Sequence, residues 1–244
     1  MSDESTILYT DSSTSIPHEE VSNDRRLRWF ELSLVVLIAI GGSFITSLNI
    51  LLTGRIDAAW VHNLRWASGL FHQLTCLALL GYVLSRRKLQ FTDLGLRWSF
   101  RDLGSGLLVA FASYWSYAIG YYFVHSVHGV FFGSGTSGVS FRTAFANPTF
   151  LAIPFALINP FFEELVVRAY LMTELKDLTG SWLISGAASL IVQTSYHLYY
   201  GWVGALSLSF QFLVFTIYFA RTRKATPVIV AHGIFDLWAL LRIW

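Results

Sequence analysis

Apolar positions run almost unbroken for a helix's length at residues 29–52, 66–84, 103–124, 149–172, 182–199, 203–220 and 227–243, and short polar segments separate these runs. A membrane-crossing helix needs about twenty mainly apolar residues, so the pattern predicts an all-α polytopic transmembrane bundle of about seven to eight membrane helices. Trp29, Trp66, Trp182, Trp202 and Trp244 fall near the ends of these runs, where amphipathic rings sit at the membrane interface. One polar stretch, "RRKLQFTDLGLRWSFRDLG" at 86–104, mixes charges with spaced apolar residues and predicts a helix lying along the membrane surface.

Before the first run, residues 1–28 are polar, acidic and rich in Ser and Thr. They read as a disordered tail, followed by a single integral-membrane domain over 29–244. No short basic-then-apolar leader is visible. Arg25, Arg26 and Arg28 instead precede a run long enough to stay in the membrane. With the N-terminus inside, the inner segments hold Arg25, Arg26, Arg28, Arg86, Arg87, Lys88, Arg97, Arg101, Lys176, Arg221, Arg223 and Lys224, against Arg55, Arg65, Arg142 and Arg242 outside. This asymmetry predicts a cytoplasmic N-terminus.

Composition agrees, with 54% hydrophobic and 13% charged residues. The net charge of +2 with scattered basic clusters gives no nucleic-acid footprint. The expected surroundings are the lipid bilayer. One cysteine, Cys76, excludes an intramolecular disulfide. Gly133, Gly135 and Gly138 have dinucleotide-loop spacing, but they lack the strand, helix and acidic residue that motif requires.

Ionisable side chains inside the runs change the picture. His72 stands in the second run; the last four runs hold Glu163, Glu164, Arg168, His197, His232 and Asp236. A charge at mid-membrane costs roughly 2.5–3.5 kcal/mol on insertion scales, so six such groups imply a function. Glu164 and Arg168 are one helical turn apart and can neutralise each other. Glu163 points about 100° away, without an intrahelical cation. His232 and Asp236 share a face, so the carboxylate can orient the imidazole. His72, His125 and His128 read as structural.

An unpaired glutamate with two histidines and an aspartate supplies the parts of a water-activating site. Glu163, His197 and His232 are also a candidate ligand set for a metal such as zinc, with one position left open.

These residues resemble the CPBP intramembrane protease family, which includes type II CAAX prenyl endopeptidases and bacterial relatives linked to bacteriocin processing or immunity. "EELVVR" at 163–168 matches the E-E-x-x-x-R motif. "QTSYH" ends in His197, with Gln193 where phenylalanine is usual. "HGIFD" gives His232 and Asp236, with aspartate where asparagine is commoner. The likeness extends over residues 103–244. It implies that Glu163 activates water with help from His197, while His232 and Asp236 stabilise the oxyanion, with Glu164 and Arg168 in support. An ionised aspartate cannot donate to an oxyanion, so Asp236 is expected to orient His232, and Gln193 to leave a missing wall. The implied setting is a multi-pass protein of a prokaryotic plasma membrane, and the implied substrate is a peptide or a protein, lipidated or not. Other readings of the same groups are a proton or ion pathway and a non-catalytic immunity or interaction protein of the same fold.

Counting 1.5 Å per residue, Glu163 and His232 fall toward the inner side and His197 toward the outer end of its run. For them to meet, residues 173–182 must dip into the membrane, or helices must break around a wet cavity.

Overall fold

Lipid offers no partner for backbone N–H and C=O groups, so an apolar chain there satisfies them within helices. The computed structural model describes residues 18–55, 64–132 and 148–242; the Gly133, Gly135 and Gly138 loop and residues 1–17 lie outside these. Each of the seven apolar runs contains helix, the fourth from Ala152 and the fifth only as far as Ser195. We label α1 (His18–Thr53), α2 (Leu64–Arg86), α3 (Phe100–Phe132), α4 (Ala152–Glu163), α5 (Leu171–Thr179), α6 (Trp182–Ser195), α7 (Gly201–Thr222) and α8 (Thr226–Leu241). The protein is an all-α membrane bundle, with no strand among the described residues.

Four helical stretches are long and apolar enough to cross a membrane: Asp24–Thr53, Leu64–Arg86, Phe100–Phe132 and Leu198–Thr222. They present large apolar side chains outward, among them Leu37, Phe71 and Phe111, each about two-thirds exposed or more. The other rods are shorter or carry the charges. Helix α1 begins at His18, inside the stretch expected as a tail, and the rest of that stretch lies outside the described residues. Its first turns are anchored: Arg25 donates to the Leu178 carbonyl and Arg28 to Glu174.

A central rod organises the bundle. Helix α4 continues through a π-helical segment, Glu164–Tyr170, directly into α5. Every residue from Phe162 to Met172 is buried, so this rod touches protein on all sides. Pro160 stands inside α4, where its ring removes one backbone donor. The π turn follows within the next residues, where the ladder shifts to longer i→i+5 bonds. The sequence pattern predicts plain α-helix here, because apolar periodicity does not report a one-residue insertion in the ladder.

Helix α4 packs on α2 and α8, α3 on α7 and α8, and α6 on α5 and α7. Between α6 and α7 the chain breaks into the short 3₁₀ turn Leu198–Tyr200, which packs on α1. Ser47 of α1 donates to the Tyr196 carbonyl that the break frees. This break brings His197 to the depth of Glu163 and removes the conflict that straight spans would create.

At the end of the bundle that carries the basic clusters, charges are locked together. Glu174 receives Arg28 at 3.0 Å and Arg87 at 2.8 Å, and Glu31 pairs with Arg87. The stretch expected as a surface helix is a set of turns instead, with helix resuming only at Phe100. It is pinned to the start of α8. Ala225 N–H donates to the Gly95 carbonyl at 3.0 Å, and Thr226 both accepts from Arg97 N–H (3.0 Å) and donates to its carbonyl (2.8 Å). Lys224 binds Asp102 at 2.8 Å. Gly95 has a positive φ of 87°, and a Cβ there would stand 2.1 Å from the Arg223 carbonyl oxygen.

Gly180, which ends α5 at φ 77°, has open space around its would-be Cβ. Gly180→Ala should therefore cost only the left-handed backbone penalty of roughly 1–2 kcal/mol. Gly95→Ala adds a backbone clash and should cost clearly more. Thermal unfolding in detergent compares the two, and equal losses would contradict the joint between Gly95 and α8.

Candidate active site

The deepest charge is Arg168. Its side chain is 1% exposed, and the π segment aims it between α6 and α7. Its Nε donates to Glu164 Oε2 at 3.1 Å. One terminal nitrogen donates to Ser189 and Thr216 at 2.8 Å each, and the other to Gln193 Oε1. The Glu164 to Arg168 pair expected from the spacing is present.

Glu164 does more than neutralise Arg168. Its second oxygen, Oε1, accepts from His232 Nδ1 at 2.8 Å, and an imidazole held at Nδ1 has a fixed ring orientation. Orientation of His232 was expected from Asp236 and comes chiefly from Glu164 instead. The reason is position: Asp236 Oδ1 lies 3.5 Å from the other ring nitrogen, Nε2, where Glu163 Oε2 also stands at 4.0 Å. Asp236 and Glu163 therefore face the free edge of a ring whose back is already tied down.

Glu163 has a donor on each oxygen. Asn159, one turn earlier in α4, donates from Nδ2 to Oε1 at 3.1 Å. Tyr196 donates its buried hydroxyl to Oε2 at 2.6 Å, and Gln193 approaches the same oxygen at 3.4 Å. The same Asn159 nitrogen donates to Asp236 Oδ2 at 3.0 Å. The Glu163 side chain is 10% exposed and that of Asp236 24%, so the site opens at Asp236.

His197 follows Tyr196 in the break after α6. Its Nδ1 donates to the Gln193 carbonyl at 2.8 Å, which leaves Nε2 as the acceptor of a neutral ring. Tyr196 (4.7 Å between ring centroids), Phe212 (4.9 Å) and Tyr199 (5.9 Å) surround it. The structure thus gathers Glu163, Glu164, Arg168, His197, His232 and Asp236 around one buried network.

Among the described residues, no three His, Cys, Asp or Glu side chains converge as metal ligands. In the set expected for zinc, Glu163, His197 and His232, Asn159 and Tyr196 donate to the two oxygens of Glu163, and Glu164 accepts from one nitrogen of His232. The three histidines read as structural stay outside. His72 binds the Ala39 carbonyl at 3.0 Å, His125 the Tyr121 carbonyl at 2.9 Å, and His128 packs on Phe132 and Trp202.

Sequence reasoning missed Asn159, Tyr196 and the weight of Gln193. Gln193 is no gap in a wall. Fully buried, it accepts from Arg168 and donates toward Glu163 and Glu164, the latter at 3.3 Å. A signal was available in the spacing, since Asn159 lies four residues before Glu163 and Gln193 four before His197.

Removing Arg168 strands a buried carboxylate, which costs roughly 3–5 kcal/mol. Removing Gln193 leaves a charge that keeps three other partners, and an unmade buried hydrogen bond costs roughly 1–3 kcal/mol. Arg168→Met should therefore destabilise the detergent-solubilised protein more than Gln193→Leu. The reverse order in chemical denaturation would contradict the network as described.

Comparison with known proteins bears on the same stretch. Residues 145–238 match the family described as Type II CAAX prenyl endopeptidase Rce1-like. Neither the curated proteins nor the solved structures compared with the chain gave a match. The matched stretch holds the central rod, the α6 break and both residues of the last motif. Over that stretch this integral membrane protein is similar to the Rce1-like type II CAAX prenyl endopeptidases.

Proposed function

We propose that the protein is an intramembrane endopeptidase in which Glu163 activates water for attack on a peptide carbonyl. The observation that carries this reading is the hydrogen bonding of Glu163. Asn159 and Tyr196 fix its carboxylate, while its nearest histidine nitrogen, His232 Nε2, stands 4.0 Å away across the mouth of the site. A carboxylate hydrogen-bonded only by neutral donors, with the nearest imidazole nitrogen no closer than 4.0 Å, remains able to accept a proton.

His197 is the second acceptor for that water. With Nδ1 committed to the Gln193 carbonyl, its Nε2 lone pair takes one water hydrogen while Glu163 takes the other. The water oxygen then presents a lone pair to the substrate carbonyl. As the C–O bond forms, Glu163 receives the proton and the carbonyl π electrons move onto oxygen.

The developing oxyanion needs a donor held in place before reaction. His232 is suited to this, since Glu164 anchors Nδ1 and leaves the Nε2 edge facing the opening. Asp236 balances the charge of a protonated His232 ring. Collapse of the tetrahedral intermediate breaks the C–N bond, and Glu163 returns its proton to the leaving amine. No step requires a metal, and none is assigned one.

The matched family is named for CAAX prenyl endopeptidases, so the C-terminal end of a lipid-modified protein is the first substrate class to test. Bacteriocin-related processing or immunity is the second. The setting proposed for it is a prokaryotic plasma membrane crossed several times, with the basic end of the bundle at the cytoplasm; the four long apolar helices support that reading.

The test is peptidase activity of purified protein in proteoliposomes on quenched peptides with and without a C-terminal farnesyl thioether. Loss of a general base costs typically 10²–10⁴-fold in rate. Glu163→Gln, His197→Ala and His232→Ala should each lose about that much, while Tyr196→Phe, which leaves Asn159 on Glu163, should lose less. Undiminished cleavage in all of the first three would overturn the reading.

A further inference from the structure

Gln73 is an oddity of α2. It sits in a mainly apolar run, 2% exposed, outside the matched stretch. A buried amide is costly unless hydrogen-bonded, and a leucine would pack there as well. Its Nε2 donates to Asn159 Oδ1 at 2.8 Å, whereas its own Oε1 has no partner among the described residues. Gln73 is thus buried at the cost of one unmatched oxygen to make one bond, and that bond goes to the residue linking two site carboxylates.

An asparagine amide has two nearly isosteric faces, oxygen and NH₂, which exchange by a half-turn of the side chain. The consequences here are opposite. In the observed orientation the NH₂ group donates one hydrogen to Glu163 Oε1 and the other to Asp236 Oδ2. Turned over, Oδ1 would face both carboxylates with acceptor against acceptor. The Gln73 amide NH₂ would then also face the Asn159 NH₂, donor against donor. The two carboxylates thus select the bridging orientation, and the Gln73 amide, as it stands, adds a third hydrogen bond to it.

The two carboxylates come from α4 and α8. Both also lie near His232 Nε2, and their mutual repulsion would spread them without a shared donor. We propose that Asn159 is a positioning residue that holds Glu163 and Asp236 in register across the α4–α8 contact, and that Gln73 of α2 buttresses it there. The role assigned to Glu163 rests on the peptidase reading above. The hydrogen-bonded chain Gln73–Asn159–Glu163 does not, and the test separates the two.

Two variants, Asn159→Leu and the more peripheral Gln73→Met, are compared with wild type and with the double variant. Kinetically, each single variant should lower kcat by roughly tenfold with KM within about twofold, and the double should be no worse than Asn159→Leu alone, since residues acting through one path are not additive. A rise in KM at unchanged kcat, additive losses, or no loss would overturn the proposal.

The second arm needs no turnover. The carboxylate stretching band of Glu163 is isolated as the infrared difference between wild type and Glu163→Gln. Gln73→Met should shift that band in the same direction as Asn159→Leu, although Gln73 reaches Glu163 through Asn159. An unmoved band in Gln73→Met overturns the proposal. An inactive wild-type protein whose band shifts as described overturns the peptidase reading and leaves the positioning chain standing.

Discussion

A guanidinium with 1% of its side chain exposed, inside an apolar bundle, constrains everything near it. A guanidinium carries five N–H donors and no acceptor, so the fold must bring acceptors to Arg168 from three helical elements: Glu164 from its own rod, Ser189 and Gln193 from α6, and Thr216 from α7. These contacts fix how α6 and α7 pack on the central rod. They also commit Glu164, whose free oxygen then anchors His232 of α8. The charge that is most costly to bury is thus the one that aligns the helices bearing the site.

This anchoring leaves Glu163 outside the neutralised pair. Adjacent glutamates on one helix would be an electrostatic burden if both met the same surroundings. Here Glu164 faces a cation and an imidazole, whereas Glu163 faces the neutral donors Asn159 and Tyr196. Irregular backbone makes the division workable. The π turn begins at Glu164 itself, and the break after Ser195 lets Tyr196 and His197 turn into the site instead of continuing upward along a straight helix. Departures from regular helix occur where several side chains must converge.

Much of this was legible in residue types and spacing. The apolar runs located the helices, and the four-residue separation of Glu164 and Arg168 announced their pair. The incompatible depths of Glu163 and His197 foretold a broken helix. What remained hidden depended on three-dimensional company. Gln193 resembles a loss when set against the usual phenylalanine, yet it joins Arg168 to both glutamates. Asp236 was expected to steer His232, and a ring nitrogen already bound by Glu164 gives it the opposite edge. The turns at 87–99 carry amphipathic spacing like that of a surface helix. Their hydrogen bonds to the Ala225 N–H and the Thr226 hydroxyl are tertiary bonds that local pattern cannot register.

The central claim is that Glu163 acts on water and does not attack the peptide itself. A single turnover in ¹⁸O-labelled water, with enzyme in excess over a cleavable peptide, distinguishes the two. Water activation predicts that the new product carboxyl carries the label in the first turnover and that a Glu163-containing fragment recovered from the enzyme carries none. An unlabelled first-turnover product, with ¹⁸O in the Glu163 carboxylate, would mean that the glutamate forms an anhydride with the substrate and would contradict the account.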